Sequence, residues 1–124
     1  MFPLPINFPL DAYVGLRVSE VFEGSHFVDV KLGAPGVLEG LIQFEGPVVL
    51  TSPDAKARRF ENEELLPGNR FFQHLAGCVI TATRRVSDAS CAVAFSNGWH
   101  LELVGEIGGF ESYHLLVVGQ QVHV

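Results

Sequence analysis

Several features that would point to a particular function are absent from this sequence. The chain has 124 residues, with two cysteines, one tryptophan and one methionine. It contains no Gly-x-Ser-x-Gly nucleophile elbow, no phosphate-binding loop, no Cys-x-x-Cys pair and no His-Glu-x-x-His zinc motif. The sequence therefore gives no support to the commonest serine hydrolase, nucleotide-dependent and zinc-dependent classes, and we predict neither a cofactor nor a metal.

Positive charge is also scarce. Eight Lys and Arg residues stand against fourteen Asp and Glu residues, for a formal net charge of −6. A negative surface repels phosphate backbones, so nucleic-acid binding is not expected. The one basic cluster, at 56–59, is expected to be a solvated loop because glutamates follow it closely.

No apolar run approaches the roughly 20 residues that a membrane span requires. Residues 1–10 are apolar, but they contain three prolines and no positive charge, which is unlike a secretory signal. We expect them to form an extended arm that lies on its own domain or on a second copy, so a homodimer is one candidate assembly. Cys78 and Cys91 are too far apart along the predicted strands for a disulfide, and this favours a reducing cytoplasm.

The pattern of apolar residues along the chain predicts a single β domain over residues 1–124. Apolar residues make up 48% of the chain and charged residues 18%, as in a globular protein. Alternating segments occur twice, at about 15–51 and 77–118, and Gly15 and Gly77 begin the two copies. We predict an all-β, mainly antiparallel fold in which two tandem β-meander repeats pack as a barrel or a sandwich. The second copy has one extra residue in its first turn.

The segment between the copies, 52–76, is expected to be a charged loop followed by one short helix. Asn69 is a suitable N-cap, and Gly77 is a suitable stop. In the first copy, Pro47 lies within the apolar run 44–51 and predicts an edge strand or a bulge there.

The second copy contains a turn whose register can be worked out. A two-residue Asn-Gly turn would place Phe95 opposite His100, whereas a three-residue loop with a left-handed Gly98 places it opposite Trp99. Directly opposed residues share a face of the sheet, and the second register collects the apolar residues on one side. We therefore predict the three-residue loop, which leaves four residues on the other face: Ala92, Ala94, His100 and Glu102.

Two groups of polar residues are candidates for a functional site. His100 and Glu102 lie beside two small alanines and would border a shallow recess, or they would simply be solvated. If the chain turns at residues 119 and 120, His114 and His123 become diagonal neighbours, within reach of a shared proton or metal. No third ligand is placed by spacing, so two exposed polar residues are the simpler interpretation.

Glu45 and Glu111 follow Phe44 and Phe110, and so occupy matching positions in the two copies. A pseudo-two-fold axis could bring them together as paired carboxylates, the arrangement that acid–base catalysis uses. The alternative is a charged residue that starts an edge strand and prevents pairing with another sheet.

Three stretches of the second half together resemble the sequence pattern of a known family. They comprise the run from Leu75 to Ala82, the run from Val93 to Leu101, and Phe110-Glu111-Ser112-Tyr113. Over about 15–118 the chain resembles an uncharacterised family of small bacterial domains with a duplicated β-unit. The resemblance implies a bacterial source and an accessory or immunity-type role, and it brings no catalytic residues. The proline-rich arm is where the chain departs from it.

Three functions follow, in order of preference. The first is a non-enzymatic domain that binds a protein partner, since an acidic surface steers basic targets. The second is a small-ligand-binding β-barrel, which the ten phenylalanines would suit. The third is an enzyme that uses the paired carboxylates or the histidines.

Overall fold

A computed structural model describes residues 3–34, 36–105, 112–117 and 120–124. Within them the fold is mainly antiparallel β, as predicted, and no helix reaches seven residues. Three short 3₁₀ turns occur, at Leu10–Tyr13, Asn62–Glu64 and Gln73–Leu75. The strands are β1 (Val18–Glu23), β2 (Val28–Leu32), β3 (Gly40–Phe44), β4 (Val48–Thr51), β5 (Ala57–Phe60), β6 (Ile80–Arg85), β7 (Cys91–Phe95), β8 (His100–Leu103), β9 (Tyr113–Val117) and β10 (Gln120–His123).

The strands of the described residues form two five-stranded sheets. One has the order β1-β2-β3-β9-β10, and the other has the order β5-β4-β8-β7-β6. In the first half of the chain, β1, β2 and β3 form a meander in one sheet, and β4 and β5 lie in the other sheet. In the second half, β6, β7 and β8 form a meander in that other sheet, and β9 and β10 lie in the first. The sheets are not closed into a barrel, so of the two predicted alternatives, a barrel or a sandwich, the barrel is wrong. One edge strand of each sheet comes from the other half of the chain: β10 in the first sheet and β5 in the second. In the described part of the chain no further strand pairs with either of them.

The two halves pair through β3 with β9 and β4 with β8, and a further contact between them is made twice. The Gly15 N–H donates to the Ile80 carbonyl at 2.8 Å, and the Gly77 N–H donates to the Val18 carbonyl at 2.8 Å. Both glycines have positive φ, 92° and 84°, which is the backbone region that glycine adopts without strain. The repeated glycine in the sequence thus marks the same contact with the opposite half in each copy.

A single hydrophobic core joins both sheets. In β2 and β3 buried and half-buried residues alternate, as expected for a sheet with one face covered. Its largest fully buried side chains include Tyr13, Phe44, Phe60 and Phe72. Aromatic side chains therefore supply much of the apolar area that folding removes from water.

The predicted short helix before Gly77 is wrong, because only the 3₁₀ turn Gln73–Leu75 forms there. Arg70 has a φ of 57°, outside the right-handed helical region. The Glu23 carboxylate at the end of β1 accepts hydrogen bonds from the next two backbone N–H groups, at 3.0 and 3.3 Å. A carboxylate from another strand thus takes the place of a helix N-cap.

The first half differs from prediction at Pro47 and in the charged loop. Pro47 lies ahead of β4, and β4 is an inner strand between β5 and β8, so the predicted edge position is wrong. Because the strand begins only after Pro47, the ladder does not need the N–H that proline lacks. Part of the expected loop forms β5, which pairs with β4.

The N-terminal arm lies on its own domain. Leu4 and Phe8 are buried, and the Arg85 guanidinium donates to the carbonyls of Leu4 at 2.8 Å and of Pro5 at 2.5 Å. Ile6 is the exception, with 93% of its surface exposed. Of the two alternatives for the arm, the structure shows the intramolecular one.

Candidate functional site

The turn between β7 and β8 fixes the first candidate site. The Phe95 N–H donates to the Trp99 carbonyl at 2.9 Å, and Gly98 has a φ of 89°. Val93 lies opposite Leu101, so the predicted three-residue loop and its register are confirmed. The alternate residues of these strands consequently lie on the outer face of the sheet.

A recess of about 210 Å³ opens on this outer face. Ala92 lies opposite Glu102, and Ala94 lies opposite both His100 and Ala82 across its two neighbouring strands. The three alanines form the floor, because their methyl groups leave room that longer side chains would fill. We call this site the alanine recess, with the floor Ala82, Ala92 and Ala94.

Four polar residues of the outer face, which we call the rim, line the alanine recess: Thr51, Arg84, His100 and Glu102. The apolar Val49 lies beside them, opposite Glu102. Arg84 and Glu102 both pair with Ala92, from β6 and β8, so they face each other across that residue. Their Cα atoms are separated by two strand spacings, or about 10 Å. A group of each charge therefore borders the same space.

The rim side chains are not used by the fold. In the part of the chain that the structure describes, Arg84, His100 and Glu102 form no side-chain hydrogen bond or ion pair. Arg58 and Arg59 of β5, by contrast, pair with glutamates of their own segment. The polar groups of the recess are available to a ligand.

This arrangement suits binding better than catalysis. His100 and Glu102 are two residues apart on one strand, and within the described residues no third side chain is hydrogen-bonded to either of them. General acid–base catalysis depends on proton-transfer groups held in hydrogen-bond reach of each other or of the substrate. The recess is open to solvent on the face of a sheet, so it does not exclude water from a reacting group.

A second group of polar residues lies on the other sheet. His114 and His123 are direct cross-strand neighbours, rather than the diagonal neighbours predicted. Their rings stack at 3.8 Å between centroids, with 18° between their planes. Glu45 and Gln43 line the same depression, whose volume is about 130 Å³.

The stacked pair is poorly arranged for a shared metal. Imidazole lone pairs lie in the ring plane, so those of two near-parallel rings lie in separate planes and do not converge on one ion. Among the described residues, no three His, Cys, Asp or Glu side chains are placed to hold a metal. Glu111 lies outside the described residues, so its pairing with Glu45 stays a prediction.

Sequence reasoning missed two members of the rim, Thr51 and Arg84. A two-residue turn at Ser87 and Asp88 would place Arg84 opposite Cys91, on the core face; only the three-residue turn over 87–89 that forms places it opposite Ala92. Thr51 had no local signal, because β4 comes from the first half of the chain and pairs with β8 of the second. Local patterns do not report a partner about fifty residues away.

The buried titratable groups belong to the core and not to a site. Burial raises the pKa of the Cys91 thiol to about 12, so the nucleophilic thiolate is suppressed. Burial also raises the pKa of Tyr113, whose hydroxyl donates to the Ala89 carbonyl at 2.6 Å. Cys78 and Cys91 are both free thiols, as predicted from their separation along the strands.

Comparison with known proteins gives no assignment: no family model, curated protein or solved structure matches the chain. The resemblance to small bacterial domains therefore stays a prediction. Within the described ranges, no helix is long and apolar enough to cross a bilayer. The geometry of the alanine recess is the strongest basis for a functional proposal.

Proposed function

We propose that this chain is a non-enzymatic domain that binds a protein partner through the outer face of the sheet β5-β4-β8-β7-β6, centred on the alanine recess. The observation that carries the proposal is the rim. The side chains of Arg84, His100 and Glu102 surround an alanine floor and form no hydrogen bond or ion pair among the described residues. Polar groups that are unused by the fold and converge on one space are typical of a recognition surface.

The size of the recess favours a protein partner over a free small molecule. At about 210 Å³ it lies below the roughly 300–1,000 Å³ of sites that enclose small ligands. The second predicted function, a small-ligand-binding β-barrel, requires a closed barrel, and the two sheets are not closed into one. A shallow recess on a sheet is better suited to one part of a larger surface.

The charge of the chain favours a partner with a basic surface. A net charge of −6 accelerates encounter with a positive protein and disfavours acidic ones. The accessory, immunity-type role implied by the resemblance is a role of this kind. The partner contacts are then expected to weaken as salt is added.

The proposal is tested by capture of partners from native lysate with matched charge variants. Glu102→Lys inverts a charge in the rim, and Glu63→Lys makes the same change in net charge at an exposed residue outside the recess. We expect wild type and Glu63→Lys to retain a stoichiometric partner in native mass spectrometry, and Glu102→Lys to lose at least about tenfold in affinity. Equal capture by both variants, or a chain that occurs only as a monomer or homodimer, would contradict the proposal.

A further inference from the structure

The volume of the alanine recess limits what part of a partner can enter it. A dry cavity of about 150 Å³ accepts a benzene molecule, so the 210 Å³ of the recess accommodates one aromatic ring with a small polar group. It is too small for several side chains at once. The proposed function therefore implies a single anchoring side chain at this position.

The floor of the recess selects for a flat apolar body. Ala82 of β6 pairs directly with Ala94 of β7, and Ala92 lies on the same face of β7 two residues before Ala94, so the three methyl groups form a continuous apolar surface. The ring of His100 stands at the edge of this surface, opposite Ala94. An aromatic ring laid on the methyl groups would bury apolar area and meet the imidazole at its side.

The rim selects for a neutral group that both donates and accepts hydrogen bonds. A lysine would be attracted by Glu102 and repelled by Arg84, and a carboxylate would meet the reverse arrangement. A phenolic hydroxyl can donate to the Glu102 carboxylate and accept from the Arg84 guanidinium. Both groups border the space above Ala92, which the hydroxyl reaches when the ring lies between Ala94 and Ala92.

We infer that the alanine recess receives one tyrosine side chain of the partner protein. The inference rests on the proposed function and names the chemistry of its central contact. The ring lies on the alanine floor, and the hydroxyl bonds to Glu102 and Arg84. Tyrosine is among the residues that most often anchor protein interfaces, because it combines a large rigid apolar body with a polar tip.

The test is a titration of the full chain, labelled with ¹³C in its alanine methyl groups, with three amides: N-acetyl-tyrosinamide, N-acetyl-phenylalaninamide and N-acetyl-lysinamide. We expect the tyrosine amide to produce saturable upfield ring-current shifts at the three floor methyls and none at Ala57 or Ala76. Because the phenylalanine amide lacks the hydroxyl, we expect it to bind about tenfold more weakly. Glu102→Gln, which preserves the shape of the side chain, is expected to remove much of that difference.

The inference is overturned if the tyrosine amide gives no saturable shift at the floor methyls, or if the phenylalanine or lysine amide binds as tightly. Its failure can be told apart from failure of the proposed function. If partner capture depends on Glu102 but the tyrosine amide has no preference, the docking surface stands and the tyrosine assignment falls. If the tyrosine amide binds but capture ignores Glu102, the recess is specific and the proposed function is wrong.

Discussion

Burial places the two cysteines of this chain in different chemical environments. Cys91 is fully buried and its pKa is raised to about 12, whereas Cys78 is only half-buried. At pH 8 we expect iodoacetamide to alkylate Cys78 in the folded protein and to leave Cys91 unmodified, because the reactive thiolate is almost absent there. Peptide mass spectrometry measures this, and both thiols should react in denaturing urea. Equal modification of the two in the folded protein would contradict the burial of Cys91.

The same thiol makes stability depend on alkaline pH. The folded pKa of Cys91 is raised above the ordinary value of 9.0, so the unfolded chain loses this proton first as pH rises. The contribution is fully present below about pH 9 and is lost towards pH 12, with a slope of at most about 1.4 kcal/mol per pH unit. Urea unfolding of wild type and Cys91→Ala across this range should show a shallower decline in the variant. Identical pH dependence in the two proteins would contradict a contribution from Cys91. Burial also raises the pKa of Tyr13 and Tyr113, so both proteins should lose further stability at higher pH.

At the scale of elements, the last residue of β1 and the last residue of β6 play matching roles. The side chain of each forms hydrogen bonds with the backbone of the segment that precedes the other strand. Glu23 ends β1 and binds the backbone ahead of β6, while Arg85 ends β6 and binds the arm ahead of β1. We expect Arg85→Ala to release the arm, because it removes charge-assisted hydrogen bonds to two carbonyls. Hydrogen exchange of the Leu4 N–H, which donates to the Asp88 carbonyl at 2.8 Å, should then be at least about tenfold faster when measured by NMR. Arg84→Ala is the matched control, and an equal rate in the two variants would contradict the role of Arg85.

The loop between β7 and β8 depends on glycine for its backbone and for its space. Gly98 and Gly68 have nearly the same φ, 89° and 88°, but only at Gly98 would an added Cβ meet a neighbour, Pro53 at 3.1 Å. We expect Gly68→Ala to cost about 1–2 kcal/mol of unfolding free energy through its backbone conformation alone. Gly98→Ala should cost more, because the turn must also shift away from Pro53. Urea denaturation compares them, and a smaller loss at Gly98 would contradict the account of this loop.

Elements whose partners are close in sequence could be predicted, and elements with distant partners could not. The Gly98 turn fixed the pairing of β7 with β8, and hence the place of His100 and Glu102 beside the alanines. β5 was missed because only Phe60 of its four residues is buried, and its stability comes from pairing with β4. The 3₁₀ turn at Gln73–Leu75 was mistaken for a helix because the sequence does not show that Glu23 reaches it.

At the scale of the whole molecule, the alanine recess is assembled from both halves of the chain. Thr51 comes from the first half on β4, and the other rim residues come from β6 and β8 of the second. This follows from the exchange of the last two strands of each half between the sheets. The recess therefore exists only in the complete two-sheet fold, and its full rim could not be predicted from either repeat alone.

The most direct test of the central claim is to fill the recess and measure partner binding. Ala94→Trp places a large side chain on the floor, and Ala76→Trp makes the same substitution at an exposed position outside it. With both variants shown to unfold at the wild-type temperature, we predict that Ala94→Trp loses at least about tenfold in affinity for the captured partner and that Ala76→Trp binds as wild type does. A folded Ala94→Trp that binds with wild-type affinity would contradict the claim that this protein recognises its partner through the alanine recess.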